Sequence, residues 1–378
     1  MIRVLHLIVA LTPGGAEAML AKLVGRMDRE RFESTVISMT DRGALGEVIG
    51  QTGIELITLG MHRGIPDPRG FFRFRTLLRE RRPNVVQSWM YHADVLAAVT
   101  CPGTRTPFLW NVRCSDMRMR NYPVMSALTV RVSAHLSARP AGIVVNSIAG
   151  RDHHERIGFR PRAWHFIPNG FDLARFRPDA DARRQIRSEA GIDDQTPLVG
   201  MISRFDPMKD HSRFFEAAAI VARRRGAHFL LAGENVAESN SALRSLYAHP
   251  DLEDRVHLLG YRPDIDRMMA ALDVHVLSSA YGEGFPNVIG EAMACGVICV
   301  ATDVGDAAAI LGDCGFIVPP RNAAALADAI TAALDMPLDE RLDLGRKSRR
   351  RVQDHFSADA VVRQYQDLYE TVARGGTG

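Results

Sequence analysis

Lysine is nearly missing from this chain. Three residues (Lys22, Lys209 and Lys347) stand against 44 arginines in 378 positions. The five cysteines (Cys101, Cys114, Cys295, Cys299 and Cys314) form no CxxC pair and no zinc spacing. An odd count without a secretory leader points to reduced thiols in a cytosolic protein. No apolar run approaches the roughly 20 residues that span a bilayer. The opening MIRVLHLIVAL is short, contains His6, and leads into PGGAE rather than a small-residue cleavage site, so it reads as a buried strand. A complete GxGxxG is also absent. Gly282 and Gly284 begin one, but Asn287 occupies the third glycine position, which argues against a dinucleotide fingerprint. His153-His154-Glu155 lacks the second histidine of HExxH, so no metal motif stands there.

A hydrophobic content of 46% and a charged content of 24% fit a globular chain with a real core. The length predicts two domains. The net charge of +3 hides an asymmetry. Residues 1–175 carry 24 Lys and Arg against 14 Asp and Glu, so +10; the remainder carries 23 against 30, so −7. A basic first half attracts an anionic partner or membrane surface; the plainer account is that an arginine-rich chain decorates its surface with arginine. The stretch 62–83 concentrates the effect, with seven arginines interleaved with Phe71, Phe72, Phe74, Leu77 and Leu78. It fits an anionic membrane, and fits better a crossover helix with its arginines in solvent. No recognition module accompanies the charge, which argues against nucleic acid.

Short apolar runs alternate with amphipathic stretches. Runs at 4–11, 34–39, 54–59, 84–89, 107–112 and 142–147 read as strands, and the pattern restarts at 198–203, 227–233, 256–260, 274–279, 298–302 and 315–320. Helical spacing at 16–27, 69–82, 214–225, 264–272, 288–295 and 322–334 separates them. This is the signature of repeated βαβ units. The fold class is α/β, with two Rossmann-like domains facing across a cleft. Their expected bounds are 1–172 and 173–356, with 168–185 as a linker. The final helix, within 357–378, is expected to pack back on the first domain. Ligands of open α/β sheets sit beyond the carboxyl ends of the strands, so the informative residues are those just after strands.

Gly14 and Gly15 follow the first strand and open a helix, a place either for close approach to an anion or for a plain tight turn. Arg204 and Lys209, after the strand at 198–203, supply a planar fork and a point charge suited to a diphosphate. They would meet charge that develops on a departing phosphate. In YGEGFPNVIGEA, the amides of Gly284, Phe285, Asn287 and Val288 are candidates for phosphate or sugar oxygens at a helix start. Glu283 is a candidate for sugar hydroxyls and Glu291 for a ribose diol. Their eight-residue spacing is no evidence in itself, since Glu47 and Glu55 share it. A first-turn acid complementing the helix dipole is the plain alternative for Glu291. His92, after the strand at 84–89, is a candidate for the reacting sugar or an acceptor hydroxyl, or equally a structural histidine. Asp264-Ile265-Asp266 and Asp179-Ala180-Asp181 resemble the acidic triplet of metal-dependent sugar transferases. The first starts a helix and the second lies in the expected linker, so neither is read as a metal site.

Taken together, PGGAE, IPNGFD (167–172), SRFDPMK with its R-x4-K, EGFPNVIGE with its E-x7-E, and the text through ATDVGDAAAILGDCGFIVPP resemble the retaining glycosyltransferases of family four, of GT-B fold. The resemblance covers nearly the whole chain. It implies a UDP- or GDP-sugar donor on the second domain and a glycan or polyprenyl-diphosphate-linked acceptor on the first. It also implies a hexosyltransferase that needs no metal ion and no cofactor beyond the donor. Arg204 and Lys209 would bind the diphosphate, Gly15 would approach it from across the cleft, and Glu291 would bind ribose. Glu283, with the amides of Gly284, Phe285 and Asn287, would orient the donor sugar, and His92 matches the family's cleft histidine. Ser203 and Asp210 stand where many members have glycine. SWMYHAD and NVRCS resemble members that build surface polysaccharides or lipid-linked glycans, which implies work at the cytoplasmic face of a membrane. A nucleotide-sugar epimerase of the same fold, or a non-catalytic binder of nucleotide sugars, are the competing readings.

Overall fold

The computed structural model describes residues 1–12, 14–62, 67–115 and 124–375. Pro13 of PGGAE, residues 63–66 of the basic stretch and the last three residues of the 357–378 segment lie outside them. The chain forms two compact units, Met1–Gly170 with Ala358–Gly378, and Phe171–Ser357.

In the first unit the strands are β1 (Ile2–Ile8), β2 (Phe32–Ser38), β3 (Glu55–Thr58), β4 (Val85–Trp89), β5 (Phe108–Val112), β6 (Gly142–Val145) and β7 (Trp164–Phe166). They pair in parallel in the order β3-β2-β1-β4-β5-β6-β7. Crossover helices α1 (Gly15–Arg26), α2 (Gly43–Gln51), α3 (Pro68–Arg81), α4 (Tyr91–Thr100), α5 (Val124–Leu136) and α6 (Ile148–Arg156) connect them. Helices on both faces bury the sheet twice, which is why its strands are near-continuous apolar runs. The stretch after residue 67 forms α3. Asp67 caps it, Phe74 and Leu78 are buried, and Arg69, Arg73 and Arg79 are exposed.

The second unit repeats the scheme. Its helices are α7 (Ala180–Glu189), α8 (His211–Arg225), α9 (Ser241–Arg244), α10 (Ile265–Ala271), α11 (Asn287–Ala294), α12 (Ala307–Leu311), α13 (Ala323–Asp335) and α14 (Leu338–Phe356). Its strands β8 (Leu198–Ile202), β9 (His228–Ala232), β10 (Val256–Leu258), β11 (Val274–Leu277), β12 (Ile298–Thr302) and β13 (Gly315–Val318) order as β10-β9-β8-β11-β12-β13, all parallel.

The expected linker at 168–185 is helical in its last third. Asp179 caps α7 by accepting from the amides of Asp181 and Ala182 at 3.0 and 2.9 Å. The helix packs on α10, where Arg183 and Arg187 reach Asp273 at 2.8 and 2.7 Å. Its polar composition disguises it; Ala182 and Ile186, four apart and both buried, are the helical signal.

The final helix, α15 (Ala358–Gly375), belongs to the first unit. Val361, Tyr365, Leu368 and Tyr369 recur at helical spacing and are buried against the β1/β4 face with Val4, Ile8 and Trp89. Gly170 lets the chain pass this helix: a side chain there would come within 2.8 Å of the Ala358 Cα.

Candidate active site

The second unit gathers polar groups beyond the carboxyl ends of β8, β11 and β12. Arg204 lies just past β8, more than half exposed, with its Nε 3.2 Å from Asp206 Oδ2. Asp206 also caps the short turn Pro207–Lys209 by accepting from the Met208 amide at 2.8 Å. One carboxylate therefore ties Arg204 to the turn that ends in Lys209. Asp210 takes a left-handed φ of 51° and caps α8; aspartate is one of the few residues that tolerates that region.

The turn is fastened to the segment after β11. Ala280 N donates to Met208 O and Ser278 Oγ to Lys209 O, both at 2.8 Å. Lys209 Nζ then meets Glu283 Oε1 at 2.5 Å, and Ser279 Oγ donates to the same oxygen at 2.5 Å. The Lys209 and Glu283 side chains are only 13% and 8% exposed. Glu283 Oε2 has no hydrogen-bond partner among the described residues. Thr302 Oγ1 holds the Ser279 carbonyl at 2.7 Å. On the far side of the loop, Asp306 N donates to Gly284 O at 2.8 Å. Gly305 sits at φ 62°, where a side chain would strike the Glu283 carbonyl. Gly233, after β9, is likewise required: a side chain there would strike Ser203 O.

The loop then enters α11. The Phe285 ring is buried, stacks on Phe171 and meets Phe356 edge to face, at 6.2 and 5.7 Å between centroids. Its side chain is therefore an anchor, and only its backbone is a candidate for ligand. Asn287 is exposed as the first helical residue, and Val288 packs on the core. Glu291 is half-buried one turn further on. Pro286, the N-cap, offers no side-chain hydrogen bond to the first amides, which suits an anion-binding helix start. Beneath the turn, His275 on β11 is buried with neither ring nitrogen hydrogen-bonded among the described residues. Burial, aided by the Lys209 charge, pushes its pKa down to about 3. It is thus a neutral wall behind the ion pair.

The remaining candidates lie in the first unit. Gly14 is extended (φ −170°) and needs no glycine for its backbone; at Gly15 a side chain would meet only open space. The tight-turn rationale for this pair does not hold, and open approach at Gly15 is what remains. His92 is not in a loop. It is the second residue of α4, half-buried, with Nε2 3.4 Å from Thr129 Oγ1 of α5. Met90 before it adopts φ 70°, ψ 158°, a region that side chains rarely enter and that marks stored strain. A surface cavity of about 470 Å³ sits at the other end of this sheet, lined by Arg82, Asn84 and Pro107 before β4 and β5. That is the wrong end for ligands of such folds.

Sequence reasoning missed Ser279, Asp206, Gly233 and Gly305. The serine pair ending the β11 run was visible; the glycines were not separable from the chain's 31 glycines without their dihedral angles.

Comparison with known proteins agrees with this organisation. Residues 13–175 match the family model described as Glycosyltransferase Family 4, and residues 196–336 the one described as Glycosyl transferases group 1. The chain carries both of these glycosyltransferase domains. The second model spans Arg204, Lys209, Glu283 and Glu291 together. N-acetyl-alpha-D-glucosaminyl L-malate synthase of Bacillus anthracis is 30% identical over 194 residues, 50% of this chain and 49% of that protein. The UDP-Gal:alpha-D-GlcNAc-diphosphoundecaprenol alpha-1,3-galactosyltransferase of Escherichia coli is 28% identical over 54% of this chain and 53% of its own. The glycosyltransferase thus spans about half the length of these relatives. The crystal structure of Anabaena HepE in complex with UDP superposes with a TM-score of 0.84 over 98% of this chain and 100% of that one, at 23% identity. This places the glycosyltransferase in the GT-B fold.

Proposed function

We propose that this glycosyltransferase moves a hexose or N-acetylhexosamine from a UDP- or GDP-sugar to a glycan or polyprenyl-diphosphate-linked saccharide, retaining anomeric configuration and needing no metal ion. The observation that carries the reading is the buried Lys209–Glu283 pair beside Arg204, set at the start of α11. A carboxylate next to a diphosphate would repel it. Pairing with Lys209 cancels that charge and leaves Arg204 as the net cation. Glu283 Oε2 then accepts from a hydroxyl of the donor sugar while Oε1 holds Lys209. The amides opening α11 face the phosphates, and Glu291 takes the ribose diol. HepE with UDP supports a uridine nucleotide, and the diphosphoundecaprenol-linked acceptor named for the E. coli relative supports a lipid-linked one.

In this mechanism the C1–O bond to the diphosphate breaks as the acceptor oxygen bonds C1 from the same face. The acceptor proton passes to the leaving diphosphate, and Arg204 and Lys209 meet the charge that develops there. Gly14, Gly15 and His92 belong to the unit assigned to the acceptor. No described helix is long and apolar enough to cross a membrane. Exposed Phe72 on α3 and Met125, Leu128 and Val132 on α5, among surface arginines, support peripheral contact with an anionic cytoplasmic leaflet.

Thermal-shift titration against a nucleotide-sugar panel tests the donor: at 100-fold above Kd a ligand adds about 2.7 kcal/mol to stability. Arg204→Ala is expected to lower kcat by about 100-fold while the chain stays folded, and EDTA to leave activity intact. Full activity in Arg204→Ala removes the diphosphate assignment. Strict metal dependence removes the metal-free mechanism, and donor conversion without acceptor replaces transfer by epimerisation.

A further inference from the structure

Burial pulls down the pKa of two described arginines, Arg187 and Arg113, and their surroundings differ. Arg187 in the second unit is 1% exposed, and all its bonds go to a carboxylate or carbonyls. Its Nη2 meets Asp273 at 2.7 Å, while Nε and Nη1 reach the carbonyls of Ala271, Asp193 and Thr196. That is a structural arginine, with its charge cancelled and four of its five donors used. Arg113, just past β5 in the first unit, is half-buried, and burial pulls its pKa down as well. Yet no carboxylate among the described residues pairs with it. Its partners are neutral: Asn111 Oδ1 at 3.4 Å, Tyr365 Oη at 3.2 Å, Asn169 Oδ1, and the Trp89 ring at 5.8 Å. Of five guanidinium N–H donors, Nε–H and one on Nη2 find no acceptor among the described residues.

The neutral partners are themselves braced. Asn111 Nδ2 donates to Tyr365 Oη at 2.9 Å, and Asn146 Nδ2 to Asn169 Oδ1 at 3.3 Å. Asn111 is the penultimate residue of β5, Asn146 follows β6, Asn169 follows β7, and Tyr365 comes from α15. The cation is therefore held at the carboxyl end of the sheet, where open α/β folds bind ligands. A half-buried positive charge with no described carboxylate to cancel it is costly, and a fixed guanidinium fork matches the oxygens of a phosphate group.

We infer that Arg113 is the centre of an anion subsite in the first unit that takes the diphosphate of the acceptor. The assignment to the acceptor rests on the function proposed above; the subsite itself rests on the geometry of Arg113. The same diphosphate chemistry also exists on the nucleotide, so the test separates the two.

Inorganic diphosphate is titrated calorimetrically into the full chain carrying Arg204→Ala, which disables the second-unit site. Saturable binding is expected to persist. Adding Arg113→Gln should weaken it at least tenfold, with Arg113→Lys in between. In the otherwise wild-type chain, Arg113→Gln should leave UDP affinity within twofold and raise KM at least tenfold for a diphosphate-bearing acceptor, not for a phosphate-free glycan. Unchanged diphosphate affinity overturns the subsite. A parallel loss of UDP affinity overturns the acceptor assignment. If Arg113→Gln does not fold, wild-type crystals soaked in inorganic diphosphate decide: absence of an anion at Arg113 overturns the inference. Diphosphate bound at Arg113 in a chain that transfers no sugar would overturn the proposed function and leave the subsite standing.

Discussion

Replacing Lys209 by methionine keeps most of the side-chain volume and removes the charge, which leaves Glu283 buried beside Ser279 alone. Breaking a buried ion pair from one side costs about 3–5 kcal/mol, because the remaining charge has lost its counter-ion. The Ser279 hydroxyl still donates, so the lower end, about 3 kcal/mol, is expected. In a unit the size of Phe171–Ser357, 1 kcal/mol moves the midpoint by about 2–4 °C. Lys209→Met should therefore melt roughly 6–12 °C lower. Lys209→Met with Glu283→Gln buries no charge and should recover about 2 kcal/mol of the loss. The sequence supplies a convenient assay. Its three tryptophans, Trp89, Trp110 and Trp164, all lie in the first unit. Tryptophan fluorescence thus tracks that unit, and far-UV circular dichroism tracks both. The loss should register in the dichroism transition while the fluorescence transition stays in place. A double-mutant cycle with a coupling below about 0.5 kcal/mol would refute the reasoning, since groups in true contact do not behave additively.

The same geometry yields two more expected outcomes. Gly305→Ala combines a left-handed backbone (φ 62°) with a clash against the Glu283 carbonyl, and should cost at least about 2 kcal/mol. Dichroism melts and donor affinity should fall together, and a neutral effect on both would show that the loop yields freely. Asp94 in the first unit is buried, accepts from Ser88 Oγ at 2.6 Å, and is pushed up to about 8 by burial. Its folded form holds a proton that the unfolded chain releases near pH 4. Its contribution is therefore complete below about pH 4 and declines as pH rises through about 8, by about 1.4 kcal/mol per unit within that window. Asp94→Asn should flatten the pH 5–8 dependence of urea unfolding monitored by tryptophan fluorescence; identical slopes in both proteins would contradict the assignment.

The residues just after β8 and β11 were legible because two periodicities locate them. Alternating apolar runs place strand ends, and the residues just beyond a strand end in an α/β sheet lie where ligands bind. Arg204, Lys209, Glu283 and the α11 start were readable on that ground, and the family motifs then specified roles. The α7 helix was hidden, because a polar segment with one cap and two spaced apolar residues resembles a linker in composition. His92 reads as a loop residue from sequence because strand-to-helix boundaries blur by a residue or two, and here α4 starts almost at once after β4.

Local sequence determined the two parallel sheets, the crossover helices and the amphipathic final helix, since each depends on spacing within a few turns of chain. It also set the chemical types at the site. Only the tertiary structure decided that Lys209 and Glu283, 74 residues apart, share one buried ion pair. It also decided that Gly305 must be glycine to clear the Glu283 carbonyl, and that Arg113 meets Tyr365 of the last helix with no described carboxylate beside it. Such facts depend on which distant segments share a strand end, and burial then turns that proximity into charge energetics.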